Sequence, residues 1–221
     1  VGSCRRRCPL PDTLTLYSFS DVDRSGKVRW VAEELGLPIV ERRVEFGAHR
    51  RPPYRELNPL GQIPTALFRG ETLLESTAIC HALAEAVDHP RLTVPPGAPG
   101  RALYLRHLAT FGETLEGHLV DCAISRVGLI PAGAFDVHAP HLRRRLPAVA
   151  AALPATGHLC GDDLTLADVL AGYSLRLAVQ LDLLPLAACQ PYLGRLAARP
   201  AARRARIFDG LELEAGAGAE G

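Results

Sequence analysis

The chain has 221 residues, 48% of them apolar, and its 25 basic side chains nearly balance 24 acidic ones, for a formal charge of +1. That length can bury one large core or two small ones, whereas so little net charge excludes nucleic acid or an anionic membrane as a partner held by bulk field. No apolar run reaches the roughly 18 residues that a membrane-spanning helix needs, and six cysteines at positions 4, 8, 80, 122, 160 and 189 form no Cys-x-x-Cys pair, so reduced thiols in a cytoplasm, and no metal, are expected.

Residues 1–12 carry Pro9 and Pro11 and little that can pack, which predicts a mobile lead. Three arginines there are followed by no apolar stretch of the kind a secretory signal requires. Leu14 to Tyr17 alternates as a strand does. Ser18 to Asp23 is polar, and from Arg24 a helical period brings Val28, Val31, Ala32 and Leu35 to one face before Gly36 and Pro38 close it. Leu37 to Phe46 reads as a second strand. The order strand, helix, strand, loop, hairpin, helix predicts a thioredoxin-like plan, parallel in its first half and antiparallel in its second.

The hairpin and helix belong to the most informative stretch, Tyr54 to Ser76. An Asn58-Pro59-Leu60-Gly61 turn leads into Gln62-Ile63-Pro64, then Thr65 to Phe68 and a return strand around Gly70, then Glu75-Ser76 at a helix start. Pro64 cannot donate to a sheet ladder, so it fits an edge, a strand start or a cis bend. Such a bend exposes the backbone of Ile63 to another peptide-like chain. A helix N-terminus at Ser76 offers unpaired N–H groups and partial positive charge, which suit a carboxylate; Ser76 adds a hydroxyl, and Glu75 an anion for an ammonium group. An edge-strand proline and an ordinary N-cap would explain each motif separately; the two in this order are more specific.

These residues resemble the glutathione-binding domain of cytosolic glutathione transferases, bacterial-type members included. The resemblance implies a thioredoxin-like N-terminal domain followed by an all-helical one. It also implies that Gln62, Ile63 and Pro64 meet the cysteinyl backbone of glutathione while Glu75 and Ser76 hold its γ-glutamyl end. His49 and Arg51 precede the Tyr54 turn, where members place basic or polar residues near the glycyl carboxylate; a solvated charged loop is the plainer reading of each.

Farther along, Ile79, Leu83 and Val87 give the helix after Glu75 a buried face. The proline- and glycine-rich run 93–100 reads as a stiffened linker. Tyr104, Leu108, Phe111, Leu115, Leu119 and Cys122 step by three or four, which predicts one long helix. Leu142, Leu146, Val149 and Leu153 mark another, kinked at Pro147. Thr165 and Asp168 form a capping box, with Leu164 and Val169 placed for a hydrophobic staple, and open a core helix as in the family. The expected organisation is a lead at 1–12, a glutathione-binding domain at 13–89, a linker at 90–100, a helical domain at 101–210 and a disordered tail at 211–221.

The family's chemistry needs a group that favours the glutathione thiolate, because a thiol with a pKa of about 8.5 is only a few per cent ionised at neutral pH. Members supply a Tyr, Ser or Cys between the first strand and first helix. Setting Lys27-Val28-Arg29 against the basic-Val-Arg run of bacterial members puts the usual serine slot near Val22 or Asp23, where no neutral donor stands. Four candidates remain: Ser25 first, at the helix start; then Ser20 and Tyr17; and Arg24, which would act by charge. Asp21 and Asp23 oppose them all. Tyr104, His107, Leu108 and Phe111 are expected to wall a cleft for an electrophilic small molecule. The alternative is a non-catalytic transferase-like protein that binds glutathione or a protein partner. A homodimer is expected, its patch built from Leu92, Val94 and Tyr104 beside Arg91, Arg101 and Arg106.

Overall fold

A computed structural model describes residues 12–87 and 92–213. The expected lead, most of the expected tail, the boundary near residues 89 and 90, and Arg91 lie outside the described residues. The N-terminal half contains β1 (Leu14–Ser18), α1 (Ser25–Leu35), β2 (Ile39–Arg43), α2 (Tyr54–Leu57), β3 (Thr65–Phe68), β4 (Glu71–Leu74) and α3 (Ser76–Ala86). Its sheet has the order β2-β1-β3-β4, with β1 and β2 parallel and the other pairs antiparallel. This is the thioredoxin-like arrangement.

The second strand is shorter than the expected Leu37 to Phe46. Gly36 adopts a left-handed φ of 68°, and the Leu37 N–H returns to the Ala32 carbonyl at 2.9 Å, so Leu37 ends α1 instead of starting β2. Val44 still donates to the Ser18 carbonyl at 2.8 Å, after which the chain turns away. Helix α1 shows an amphipathic period, yet every residue from Ser25 to Ala32 is buried. It lies between the sheet on one side and α3, α7 and α9 on others, so even Lys27 and Arg29 are taken out of water.

The C-terminal half is helical: α4 (Arg101–Ala109), α5 (Glu116–Arg126), α6 (Gly133–Ala151), α7 (Leu166–Gln180), α8 (Gln190–Ala197) and α9 (Pro200–Ala205). The long helix expected across Tyr104 to Cys122 is interrupted by a π-helical segment, Thr110–Leu115. Gly112 sits inside it, where a Cβ would come within 3.1 Å of the Leu170 side chain and 3.4 Å of the Thr77 hydroxyl; the missing side chain permits this close approach to α7 and α3. Helix α6 is assigned without a break through Pro140 and Pro147. Val87 lies beyond the end of α3 in extended backbone and is only half-buried.

Helix α7 is the centre of this half, buried from Leu166 to Ala178. Its start is organised by Asp168, which has no exposed surface. The Asp168 carboxylate accepts the Thr165 N–H at 2.9 Å, the Thr165 hydroxyl at 3.0 Å, the Leu159 N–H at 2.8 Å and the Tyr192 hydroxyl at 2.7 Å. The capping box thus also ties α7 to α8. The expected dimer patch needs correction: Leu92 and Tyr104 are buried in the chain's own core, and Arg101 donates to the Val94 carbonyl and lies over the Tyr104 ring.

Candidate functional site

The loop from Asn58 to Thr65 is held by a compact polar network. The Ile63–Pro64 peptide is cis. Tyr54 donates its hydroxyl to the Gln62 carbonyl at 2.7 Å and sits 2.7 Å from the Thr65 hydroxyl. Asn58 donates through Nδ2 to the same carbonyl at 3.0 Å and to Thr65 Oγ1 at 2.9 Å, while its Oδ1 accepts the Leu60 N–H at 3.0 Å. Burial pushes the Tyr54 hydroxyl pKa upward, which keeps it a donor. Gly61 completes the turn at φ 60°, where a Cβ would strike the His49 carbonyl at 3.0 Å. Tyr54, Asn58 and Thr65 were not singled out as site residues from sequence. Their signal was the four-residue step from Tyr54 to Asn58, which spans the short α2 and brings both side chains to one carbonyl.

Beside this loop, Glu75 adopts φ 63° and ψ 113°, a backbone geometry unusual for a residue with a side chain and worth about 1–3 kcal/mol of local strain. It delivers Ser76, 6% exposed, to the first position of α3, where N–H groups have no partner within the helix. Glu75, Ser76, Asn58, Gln62, Ile63, Pro64 and Arg24 line one small surface cavity. Two unrelated segments predicted to share a ligand are therefore neighbours.

Residues 24–86 match the family described as glutathione S-transferase, N-terminal domain. Glutathione S-transferase 3 of Zea mays is 30% identical over 167 residues, covering 70% of this chain and 73% of that protein. This chain belongs to the glutathione S-transferase family. Among solved structures, the glutathione transferase of Methylococcus capsulatus is 26% identical with a TM-score of 0.75, the match covering 87% of this chain and 96% of that one. The bacterial transferase BphK, seen in a ternary complex, is 25% identical with a TM-score of 0.75, over 89% of this chain and 100% of that one. The glutathione transferase URE2P6 of Phanerochaete chrysosporium, solved with oxidized glutathione, shares the fold at 24% identity and a TM-score of 0.74, over 88% of this chain and 94% of that one.

In this family member the segment between β1 and α1 is organised by a carboxylate. Asp23 accepts the N–H groups of Phe19 at 2.7 Å, Ser20 at 2.8 Å and Ser25 at 2.7 Å, so the first N–H of α1, that of Ser25, is already engaged by an anion. Arg29 and Arg176 fix the same segment by donating to the carbonyls of Ser20, Asp21 and Val22. Ser25 is fully buried, and its hydroxyl lies 3.5 Å from Arg29 Nη2. Ser20 accepts the Val22 N–H on its hydroxyl at 3.3 Å. Tyr17 packs edge-on against Tyr54, ring centroids 5.8 Å apart. Of the four thiolate candidates, Arg24 alone lines the cavity with Pro64, Glu75 and Ser76. The order that put Ser25 first is therefore not the order of proximity.

Other candidates fall in different surroundings. His49 is buried, accepts the Gly47 N–H on Nδ1 at 3.1 Å and meets Phe19 edge-on at 4.8 Å; burial, helped by the Arg50 charge, lowers its pKa. Arg51 is exposed, with its guanidinium near Gly47. Neither is among the residues lining the cavity, whereas Gln62 is. Tyr104 and Phe111 are core residues, not walls of an open cleft: Tyr104 has no exposed surface and its hydroxyl lies 3.1 Å from His81 Nε2, and Phe111 is 2% exposed. Their spacing marked the face turned inward. His107 and Leu108 are half-buried, with His107 stacked on Phe111 at 6.2 Å. A larger cavity of about 410 Å³ lies near the other end of α1, between the Glu34–Arg199 ion pair and Asp162 and Asp163; it contains none of the residues of the Tyr54–Ser76 stretch. Among the described residues, no group of three or more His, Cys, Asp or Glu is arranged to hold a metal, and no helix is long and apolar enough to cross a membrane.

Proposed function

We propose that this transferase binds glutathione across the cavity formed by the Gln62–Pro64 loop and the start of α3, and activates its thiol as thiolate through the positive charge of Arg24. The observation that carries this reading is the presence of Arg24 in the same cavity as Ile63, Pro64, Glu75 and Ser76. The backbone of Ile63 would pair with the cysteinyl residue, and the N–H groups and hydroxyl at Ser76 would receive the γ-glutamyl carboxylate, with Glu75 beside the ammonium. A cation near the sulfur lowers a thiol pKa by about 1–3 units, which would raise the thiolate from a few per cent to between about a quarter and nearly all of the bound glutathione near neutral pH. The thiolate then attacks an electrophilic small molecule between the two halves. URE2P6 with oxidized glutathione supports the choice of ligand at the level of a shared fold. The protein is read as a cytoplasmic homodimer, with domain limits near residues 89 and 100.

Arg24→Gln tests the reading. It should raise the pKa of enzyme-bound glutathione, read from ultraviolet thiolate absorbance, by at least one unit and slow conjugation of a chloronitroarene roughly tenfold. An unchanged pKa would remove Arg24 from the mechanism. A second reading follows from the Asp23 carboxylate at the start of α1: a protein that binds glutathione without turnover. Wild-type binding to immobilised glutathione with no conjugation, isomerisation, dehalogenation or peroxide reduction would establish it.

A further inference from the structure

We infer that Glu116, in the helical half, is a positioning residue for Arg24, so that the thiolate-stabilising charge is aimed from across the junction between the two halves. The inference rests on the role of Arg24 given above. Glu116 is the first residue of α5, directly after the π-helical segment, and is 4% exposed. Both its carboxylate oxygens receive the Lys27 ammonium, at 2.7 and 2.5 Å. Its Oε1 also lies 3.1 Å from Arg24 Nε. Lys27 has no exposed surface and is further covered by the Tyr173 ring, 4.9 Å from its nitrogen to the centroid. The close approach of Gly112 to Thr77, the neighbour of Ser76, brings this stretch to the start of α3 and hence to the cavity.

Joining two halves of a protein does not require this arrangement. Withdrawing a charge from water costs several kcal/mol, and apolar side chains of similar volume often stabilise a contact as well or better. Two cations and one carboxylate leave one positive charge over. Lys27 is enclosed and bonded to both oxygens of Glu116, so the surplus resides on Arg24, the member of the trio that lines the cavity. Its Nε, though within ion-pair distance of Glu116, has no aligned hydrogen bond. Glu116 thus holds Arg24 by charge while Lys27 takes up the carboxylate's hydrogen-bonding capacity. The same enclosure explains why Cys80 is not a rival nucleophile: burial drives its thiol pKa up to about 12, despite the favourable field of Lys27.

The test compares Arg24→Gln, Glu116→Asp and the double variant Lys27→Met/Glu116→Gln in the full chain, measuring the pKa of bound glutathione and, by calorimetry at a pH where the thiol stays protonated, its affinity. Glu116→Asp keeps the charge but shortens the arm by one C–C bond, about 1.5 Å, which takes the carboxylate out of ion-pair reach of Arg24 Nε, now 3.1 Å away. The double variant removes one charge of each sign, leaving the local net charge unchanged while Arg24 loses the carboxylate that holds it. Glu116→Asp and the double variant should each raise the thiol pKa by about one unit with less than a twofold change in affinity for the thiol form. A wild-type pKa in whichever of the two folds, as judged by circular dichroism and melting, overturns the inference while leaving Arg24's role intact if Arg24→Gln still shifts it. Should Arg24→Gln itself have no effect, the underlying reading fails and this one with it.

Discussion

Asn58→Ala removes the side chain that organises the Asn58–Thr65 loop, proposed to face glutathione, and its cost can be worked out bond by bond. Asn58 makes three hydrogen bonds, to the Gln62 carbonyl, Thr65 Oγ1 and the Leu60 N–H, and is 2% exposed. At roughly 0.5–1.5 kcal/mol net for each bond, and with a small void left behind, the loss should be about 2–4 kcal/mol. Tyr54→Phe removes only the two contacts of one hydroxyl. Gln62 and Thr65 keep their Asn58 partners, so about 1–2 kcal/mol is expected. Urea unfolding should therefore rank Asn58→Ala below Tyr54→Phe and both below wild type. Because this network holds the Gln62 carbonyl next to Ile63, glutathione affinity by calorimetry should fall in the same order, several-fold or more for Asn58→Ala. If Asn58→Ala lost stability but bound glutathione as tightly as wild type, the loop would not be the edge the ligand meets. If Tyr54→Phe proved the more damaging, the bond count would be the wrong basis for the network's strength.

Ser76→Ala should weaken glutathione binding by about tenfold or more with an unchanged melting temperature, since charge-assisted contacts are worth roughly 1.5–3 kcal/mol; equal calorimetric affinities would exclude Ser76 from the ligand. Asp168→Ala would strand the buried Leu159 and Thr165 N–H groups and the Tyr192 hydroxyl, at roughly 1–3 kcal/mol each, whereas loss of the Thr165 cap alone should cost about 1 kcal/mol; comparable denaturation midpoints for Asp168→Ala and Thr165→Ala would contradict this. Burial lowers the pKa of His49, His81, His107 and His118 in the folded chain. The unfolded chain therefore binds protons first as pH falls through about 6.5, and stability that is complete above that value declines below it, ahead of the carboxylates. A urea midpoint that does not move between about pH 7.5 and about pH 5.5 would contradict that sign. Sedimentation at micromolar concentration should show twice the 23.8 kDa mass of one chain; a particle of single-chain mass would refute the dimer.

Local patterns in the sequence led to local structure, and errors arose where distant residues decided the outcome. The strand-helix alternation, the hairpin around Gly70 and the Thr165–Asp168 box depend on near neighbours, and all are present. Tyr192, which completes the Asp168 cluster, stands 24 residues away, beyond any capping pattern. Tyr104 and Phe111 were misplaced because helical periodicity reports a face that is hidden without saying what hides it. Ser25 was ranked first without allowance for Asp23, and it is buried away from the cavity that Arg24 lines. An aspartate two residues ahead of a helix start is itself a capping residue, and a carboxylate that takes three N–H groups leaves the neighbouring serine's hydroxyl no special claim on the helix end.

The Lys27–Glu116 pair joins residues 89 positions apart, and its place explains why the thiolate assignment could not be settled from the N-terminal segment alone. Sequence offered hydroxyls near the start of α1 because hydroxyls are the usual donors there. The fold instead brings a carboxylate from the second half to α1 and leaves one cation facing the cavity. A single charge acts over a longer distance than one hydrogen bond and tolerates looser geometry, yet in a partly solvated site it is screened unless held in place. A transferase working by charge in the way proposed needs its guanidinium held by a partner, and Glu116, 3.1 Å from Arg24 Nε at the junction, is placed to be that partner.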